Sequence, residues 1–125
     1  LALTSNKGAA DFQFYKNDNS LYQEVISTAL EWQNSDNLMF VTGATQPEYF
    51  ETIRKLAPHH FFLVPGIGAQ GGDLDAVCRY GMNKDIGLII NSSRGIIYAS
   101  QQDDFAIASR NAAQEMQQKM AGYLN

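Results

Sequence analysis

Apolar runs alternate with polar loops and helical stretches along the whole chain. Four short runs are almost continuously apolar and are predicted to be strands, at residues 1–4, 38–42, 61–64 and 87–91. A helical pattern follows each run, so the predicted order is βαβαβαβα. Strands that are apolar at successive positions are typical of a parallel sheet with both faces buried under other layers. This order fits a small open sheet or half of an eight-stranded (β/α)8 barrel.

Local signals predict where the helices begin and which faces they bury. Ser20 with Gln23, and Thr45 with Glu48, have the spacing of capping boxes, and Asp73 would cap a third helix. A single helical turn is expected after residue 92, and a last helix over residues 104–123. An apolar stripe on the first helix is expected at Leu21, Val25, Ala29 and Trp32. Gly81 is expected to end the third helix in a left-handed conformation.

The loop after the third predicted strand has few side chains. Gly66, Gly68, Gly71 and Gly72 occupy four of its seven positions from 66 to 72. Glycine lets the backbone approach a ligand closely, and free N–H groups at a helix start attract an anion. The pattern therefore favours a phosphate site over a tight turn without a ligand.

Residues 66–71 also spell G-x-G-x-x-G, but dinucleotide binding is not supported. That fold needs an acidic residue at the end of the next strand, whereas Asp85 precedes it and the strand runs out into NSSR. Arg94 instead offers a planar fork of donors that suits phosphate. In phosphate-binding barrels the loops after strands 7 and 8 form the site with a short extra helix. On that assignment Gln70 and Arg94 converge on one phosphate; the alternative for Arg94 is a surface salt bridge.

Composition narrows the class of protein. A net charge of −4 over 125 residues argues against a nucleic-acid surface, and the chain has no apolar run long enough to cross a bilayer. Cys78 is the single cysteine, which favours a reducing cytoplasm. No cluster has the spacing of metal ligands, and His59 and His60 precede a strand rather than follow one. The chain starts within an apolar run and without Met, so we expect a fragment or a processed piece.

Three segments are similar to motifs of one enzyme family. VPGIGAQGGDL at 64–74, IINSSRGIIYAS at 89–100 and LTSNKGAADFQ at 3–13 resemble orotidine 5′-phosphate decarboxylase, in particular its bacterial subfamily with longer loops. The motifs occur in the family's order, and the resemblance covers essentially the whole chain. It implies an α/β fold in which residues 1–125 supply about the last four βα units, the C-terminal half, of a single (β/α)8 TIM-barrel domain.

The resemblance also implies two groups of binding residues. The substrate's 5′-phosphate would be bound by Gln70, Ser93 and Arg94, including backbone N–H groups of the last two. The pyrimidine edge would be bound by Ser5, and the loop that closes over phosphate and base would contain Pro65 and Ile67. Lys7 stands where relatives often have proline, which is a departure from the family's pattern in the Ser5 loop.

The implied activity is a cofactor-independent carboxy-lyase reaction of pyrimidine biosynthesis, from orotidine 5′-phosphate to uridine 5′-phosphate, in a cytoplasmic homodimer. In the family an Asp-x-Lys-x-x-Asp motif performs the chemistry, and its lysine protonates the ring carbon as carbon dioxide leaves. None of the five lysines here lies in that motif. We therefore expect isolated residues 1–125 to be inactive and to need the N-terminal half of the barrel. The alternatives are another phosphate-binding TIM-barrel enzyme and a non-catalytic nucleotide-binding half barrel.

Overall fold

A computed structural model describes residues 1–4, 6–15, 19–68 and 71–124. Helices alternate with strands, as predicted. In chain order the elements are the 3₁₀ helix Lys7–Ala9, α1 (Ala10–Gln13), α2 (Leu21–Leu30), the 3₁₀ helix Ser35–Asn37, β1 (Met39–Val41), α3 (Tyr49–Leu56), β2 (Phe61–Pro65), α4 (Leu74–Gly81), β3 (Leu88–Asn91), α5 (Ser93–Ile97) and α6 (Phe105–Ala121). No helix in these ranges is both long and apolar enough to span a membrane.

The three strands form one parallel sheet in the order β1-β2-β3. Phe40 lies opposite Phe62, and Leu63 lies opposite Ile89. Neighbours along the chain are thus neighbours in the sheet, which is the arrangement of consecutive strands in a (β/α)8 barrel. A doubly wound sheet would reverse its order at some point, and the described strands contain no such reversal.

The predicted first strand at residues 1–4 is shorter than expected. Leu3 forms an isolated parallel bridge with Thr42, on the free side of β1. The backbone N–H of Ala2 donates to the Val41 carbonyl at 2.9 Å, and that of Gly43 donates to the Leu3 carbonyl at 2.9 Å. Position and direction were therefore predicted correctly, but the full strand was not.

The prediction that both strand faces are buried is wrong for the described chain. Successive side chains of a strand point to opposite faces. On the side covered by helices, Phe40, Phe62 and Val64 are buried. On the other side Met39, Phe61 and Ile89 are exposed by 48%, 38% and 45%. The strands are apolar on both faces because a second layer belongs on the exposed side, and in a barrel that side faces the interior.

The apolar stripe predicted for the first helix is also wrong in part. The buried residues of α2 are Tyr22, Ile26 and Ala29. Of the predicted stripe only Ala29 is buried, while Leu21, Val25 and Trp32 are exposed. The reason is the large ring of Tyr22, which packs edge-on against Phe14 and Tyr49 with centroids 5.8 and 6.0 Å apart. This aromatic contact turns the helix toward its Tyr22 side.

Two of the three predicted caps are confirmed. Ser20 forms a capping box at the start of α2. The Asp73 side chain accepts hydrogen bonds from two backbone N–H groups of α4, at 2.9 and 3.1 Å. The capping box at Thr45 and Glu48 is wrong, because a turn around Pro47 comes first and α3 begins only at residue 49 with no side-chain cap.

Arg54 joins the ends of several elements at the amino-terminal edge of the sheet. Its Nε and Nη2 donate to the Gly81 carbonyl at 2.8 and 2.6 Å. Its Nη1 donates to the His60 carbonyl at 2.7 Å, and its Nη2 to the Gly87 carbonyl at 3.0 Å. The guanidinium carbon lies 3.8 Å from the centroid of the Phe62 ring. Burial lowers the pKa of Arg54 to about 10, so the side chain still carries its charge at neutral pH.

Gly81 ends α4 for a different reason from the predicted one. It is the last helical residue, and the positive φ angles of this region belong to Ile86 and Gly87 instead. A Cβ on Gly81 would lie 2.8 Å from Cδ1 of Phe50 and 3.1 Å from Cδ2 of Leu88. The position therefore needs glycine because α3 and β3 approach it closely.

Candidate functional site

The candidate site lies where β2 and β3 end side by side. Pro65, the last residue of β2, is opposite Asn91, the last residue of β3. Because the strands are parallel, both chains leave the sheet at its carboxyl-terminal edge. From there one chain enters the glycine loop before α4, and the other turns directly into α5. Carboxyl-terminal strand edges are where (β/α)8 enzymes bind their ligands.

A pocket of about 160 Å³ opens between these two strand ends. Its lining consists of Pro65, Gly66, Ile67, Asn91, Ser92, Ser93 and Arg94. Four of the six residues predicted for the site are therefore gathered around one hollow, namely Pro65, Ile67, Ser93 and Arg94. The other two, Ser5 and Gln70, lie outside the described residues, and their roles stay predictions.

The glycine loop has a backbone that most residues could not adopt. Gly66, Gly68 and Gly71 have φ angles of 101°, 78° and 79°. The N–H of Gly71 donates to the Gly68 carbonyl at 2.8 Å, and that of Gly72 donates to the Gly66 carbonyl at 3.1 Å. These hydrogen bonds close the loop into a tight local turn, which explains why glycine is needed at positions 66, 68 and 71.

Gly72 is in a crowded position of this loop. A Cβ there would lie 2.6 Å from Cβ of Ala44 and 2.7 Å from the Gly66 carbonyl oxygen. Gly72→Ala should therefore lower the free energy of unfolding by about 1 to 3 kcal/mol, the usual effect of overpacking. Urea denaturation of the complete protein measures this. Gly8→Ala, where a Cβ meets nothing within 4 Å, should change it by less than about 0.5 kcal/mol; equal effects would contradict the crowding.

Arg94 brings a positive charge to the mouth of the pocket. It is exposed, and within the described residues it takes part in no ion pair. The predicted alternative, a surface salt bridge, thus finds no support in this part of the chain. Beside it, the Ser93 hydroxyl donates to Oδ1 of Asn91 at 3.1 Å. The side chains at the end of β3 therefore leave the guanidinium available for a ligand.

Ser92 is a residue of the site that the sequence analysis did not single out. It is 7% exposed, and its hydroxyl donates to the Ile67 carbonyl at 2.9 Å. This bond connects the turn that carries Arg94 to the glycine loop. Two adjacent serines follow β3, and their spacing alone does not indicate which of them turns inward.

A larger cleft of about 420 Å³ lies behind the glycine loop, against α4, α5 and α6. Its charged groups already have partners. Lys119 pairs with Glu115 at 3.0 Å, and the Tyr123 hydroxyl donates to the Asp75 carboxylate at 2.7 Å.

The residues assigned to packing show no sign of catalysis. Cys78 is buried, and burial together with the nearby Asp75 carboxylate raises the pKa of its thiol. Nε2 of His60 lies 3.1 Å from the Ser35 carbonyl oxygen, at the opposite edge of the sheet. In the described ranges no three metal-ligating side chains come together.

Comparison with known proteins identifies the family. The family model described as orotidine 5′-phosphate decarboxylase / HUMPS family matches residues 1–108. The chain belongs to this family. It is 56% identical to the orotidine 5′-phosphate decarboxylase of Bacteroides fragilis over 126 aligned positions, which cover 99% of this chain and 46% of that protein. It is 58% identical to the enzyme of the same name from Christiangramia forsetii, with 99% and 46% covered.

Solved structures agree with this assignment. Leishmania donovani UMP synthase superposes with a TM-score of 0.76 at 39% identity, over 93% of this chain and 26% of that one. Leishmania donovani OMP decarboxylase gives 0.73 at 34% identity, over 93% and 44%. The predicted fold class is thus confirmed as α/β and part of a TIM barrel. The chain spans about half the length of the curated relatives that it matches, 46% for the two named here.

Proposed function

We propose that this chain forms the phosphate- and pyrimidine-binding part of an orotidine 5′-phosphate decarboxylase, which makes uridine 5′-phosphate in pyrimidine biosynthesis. One observation carries the proposal. In a member of this family, Pro65, Ile67, Ser93 and Arg94 line a single pocket at two adjacent strand ends. The chemistry of the pocket, a cation beside a glycine loop, suits an anionic group such as a phosphate.

The phosphate would be bound from both strand ends. Arg94 supplies charged donors, and the first N–H groups of α5, at Ser93 and Arg94, have no carbonyl partner within their own helix. Gln70 would add its side-chain amide from the glycine loop. Donors that converge from two loops fix the position of the phosphate better than one loop could, because each loop limits a different direction.

The pyrimidine would lie over the neighbouring part of the same edge. The segment that leads to Ser5 runs parallel to β1, with Leu3 opposite Thr42. Ser5 would hydrogen-bond the ring, and Pro65 and Ile67 would lie in the loop that closes over phosphate and base. Binding energy from the phosphate can then drive loop closure and the removal of water at the ring, which is how remote contacts accelerate a reaction.

The reacting groups would come from a complementary half of the barrel. The Asp-x-Lys-x-x-Asp motif that the family uses does not occur in this sequence. The sheet also exposes Met39, Phe61 and Ile89 on the face that a barrel encloses. A half barrel that carries the motif would cover this face and complete the active site. We further propose that the complete protein needs no cofactor, works as a homodimer and resides in the cytoplasm.

Activity of the complete protein and of the fragment tests the proposal. The complete protein should convert orotidine 5′-phosphate, followed by the fall in its ultraviolet absorbance, and should bind uridine 5′-phosphate. Purified residues 1–125 should show no turnover, because the lysine that protonates the ring is absent, and addition of the complementary half should restore it. Turnover by the purified fragment alone would contradict the proposal that the reacting groups come from the other half of the barrel. An inactive complete protein would contradict the assignment to this enzyme.

A non-catalytic nucleotide-binding half barrel is the second candidate. It predicts that the complete protein binds uridine 5′-phosphate without any turnover of the substrate. Binding and turnover measured on one preparation therefore separate the two functions.

A further inference from the structure

The hydroxyl of Ser92 connects the two loops of the proposed phosphate site. It donates to the carbonyl of Ile67 at 2.9 Å, and this hydrogen bond is buried. Ile67 belongs to the glycine loop after β2, while Ser92 precedes Ser93 and Arg94 after β3. Within the described residues, this side-chain hydrogen bond joins the loops that follow β2 and β3 directly. A buried bond of this kind holds its two segments at one distance because breaking it leaves both groups unpaired.

The surroundings of Ser92 leave the hydroxyl little freedom. A Cβ on Gly95 would lie 2.7 Å from its Oγ, and a Cβ on Gly68 would lie at 3.5 Å. Glycine at position 95 therefore makes the space that the hydroxyl occupies. Gly68 lies on the glycine loop, at a φ of 78°, so the hydroxyl of Ser92 is close to both loops.

Ser92 does not make the capping hydrogen bond that a serine at the start of a helix normally makes. It is the N-cap residue of α5, where a serine hydroxyl usually accepts a hydrogen bond from the first turn of its own helix. No such bond is present here. The hydroxyl faces the neighbouring loop instead, so local helix stability does not explain it.

We propose that Ser92 is a positioning residue, which sets the spacing between the glycine loop and the turn that carries Arg94. The inference rests on the proposed function, since the spacing matters only if both loops bind one phosphate. Although Ser92 contributes to the pocket lining, its hydroxyl donates to the Ile67 carbonyl and would act through the glycine loop rather than through a bond to the ligand. Its hydroxyl fixes the Ile67 carbonyl, and thereby holds the donors of both loops at the distance that a single phosphate group requires.

Three substitutions in the complete protein test this role. Ser92→Ala should weaken binding of uridine 5′-phosphate, measured by calorimetry, by about fivefold to tenfold, the effect of one lost hydrogen bond. Gly95→Ala should have a similar effect, because its methyl group displaces the hydroxyl. Ser92→Thr keeps the hydroxyl and should stay within about twofold of the unmodified protein. Uridine, titrated by NMR, should bind all three variants as it binds the unmodified protein.

Ser100→Ala is the matched control, since it removes a hydroxyl that donates to Asp104 at 2.6 Å outside the pocket. It should leave both affinities unchanged. Unchanged nucleotide affinity in Ser92→Ala would overturn the proposal, as would an equal loss of affinity for uridine, which indicates a general structural defect. If the unmodified protein does not bind uridine 5′-phosphate at all, the proposed function fails first, and the role of Ser92 fails with it.

Discussion

Replacement of Arg94 by alanine in the complete protein is expected to lower kcat/KM for orotidine 5′-phosphate by about 100-fold to 1,000-fold. The guanidinium lines the pocket together with Ser93, Pro65 and Ile67. A planar cation on a phosphate makes charge-assisted hydrogen bonds, often two at once, which are about twice as strong as neutral ones. Alanine removes these bonds and leaves the phosphate facing only neutral donors.

The loss should be visible both in binding and in turnover. Affinity for uridine 5′-phosphate should fall, because product and substrate share the phosphate. If phosphate binding also drives loop closure, kcat should fall as well as KM rise. Arg94→Lys should recover part of the loss, since lysine restores the charge without the planar fork. Steady-state kinetics with calorimetric titration of the product separates these effects.

Arg110→Ala provides the control for a lost positive charge. Arg110 lies on α6, is exposed and lines neither pocket of the site region. Its replacement should leave kcat/KM within about twofold. If Arg94→Ala behaves like Arg110→Ala, the phosphate is not bound at the end of β3, and the assignment of the site is wrong.

The part of the site that sequence reasoning identified depends on chemistry that is local in the chain. Gly66, Gly68 and Gly71 follow an apolar run directly, and all three have positive φ angles, which glycine adopts more easily than other residues. Arg94 follows the next run. Parallel strands then bring both segments to one edge without further information. This local chemistry indicated Arg94 and Gln70, whereas Pro65, Ile67 and Ser93 were added by the resemblance to the family.

What the sequence could not reveal depends on contacts between distant segments. Gly81 is a glycine because Phe50 and Leu88 approach it, and neither neighbour can be read from the residues around it. Ser92 acts through Ile67, a residue 25 positions earlier. The stripe on α2 failed for the same reason, because Phe14 and Tyr49, from other segments, pack against the Tyr22 ring and decide which side of the helix is buried. Apolar periodicity identifies the buried face of a helix only when the helix has a single apolar face.

Arg54 is the clearest example, and its replacement by methionine is expected to destabilise the protein strongly. The side chain donates to four backbone carbonyls within 3.0 Å, on Ala57, His60, Gly81 and Gly87. These carbonyls end α3 and α4 and precede β2 and β3, so one guanidinium satisfies groups from four elements. Arg54→Met keeps an unbranched, flexible side chain but is shorter than arginine, and it removes every donor together with the guanidinium over the Phe62 ring.

The free energy of unfolding should fall by about 3 kcal/mol, since the partly buried carbonyls of Ala57, His60 and Gly81 lose this donor at once. The Gly87 carbonyl still accepts from the N–H of Phe62. In a protein of ordinary domain size a fall of this size corresponds to a thermal midpoint lower by about 6 to 12 °C. Differential scanning calorimetry of the complete protein measures the shift. Arg54→Lys should be intermediate, because an ammonium group reaches fewer of the carbonyls than a guanidinium does.

Arg110→Met makes the same chemical change on the exposed face of α6 and should alter the midpoint by no more than about 2 °C. The pocket lies at the opposite edge of the sheet from Arg54. Arg54→Met should therefore leave the affinity for uridine 5′-phosphate unchanged at temperatures where the protein stays folded. Loss of affinity without loss of stability would contradict a structural role for Arg54, and an Arg54→Met midpoint equal to that of Arg110→Met would show that the four carbonyls are satisfied by other means.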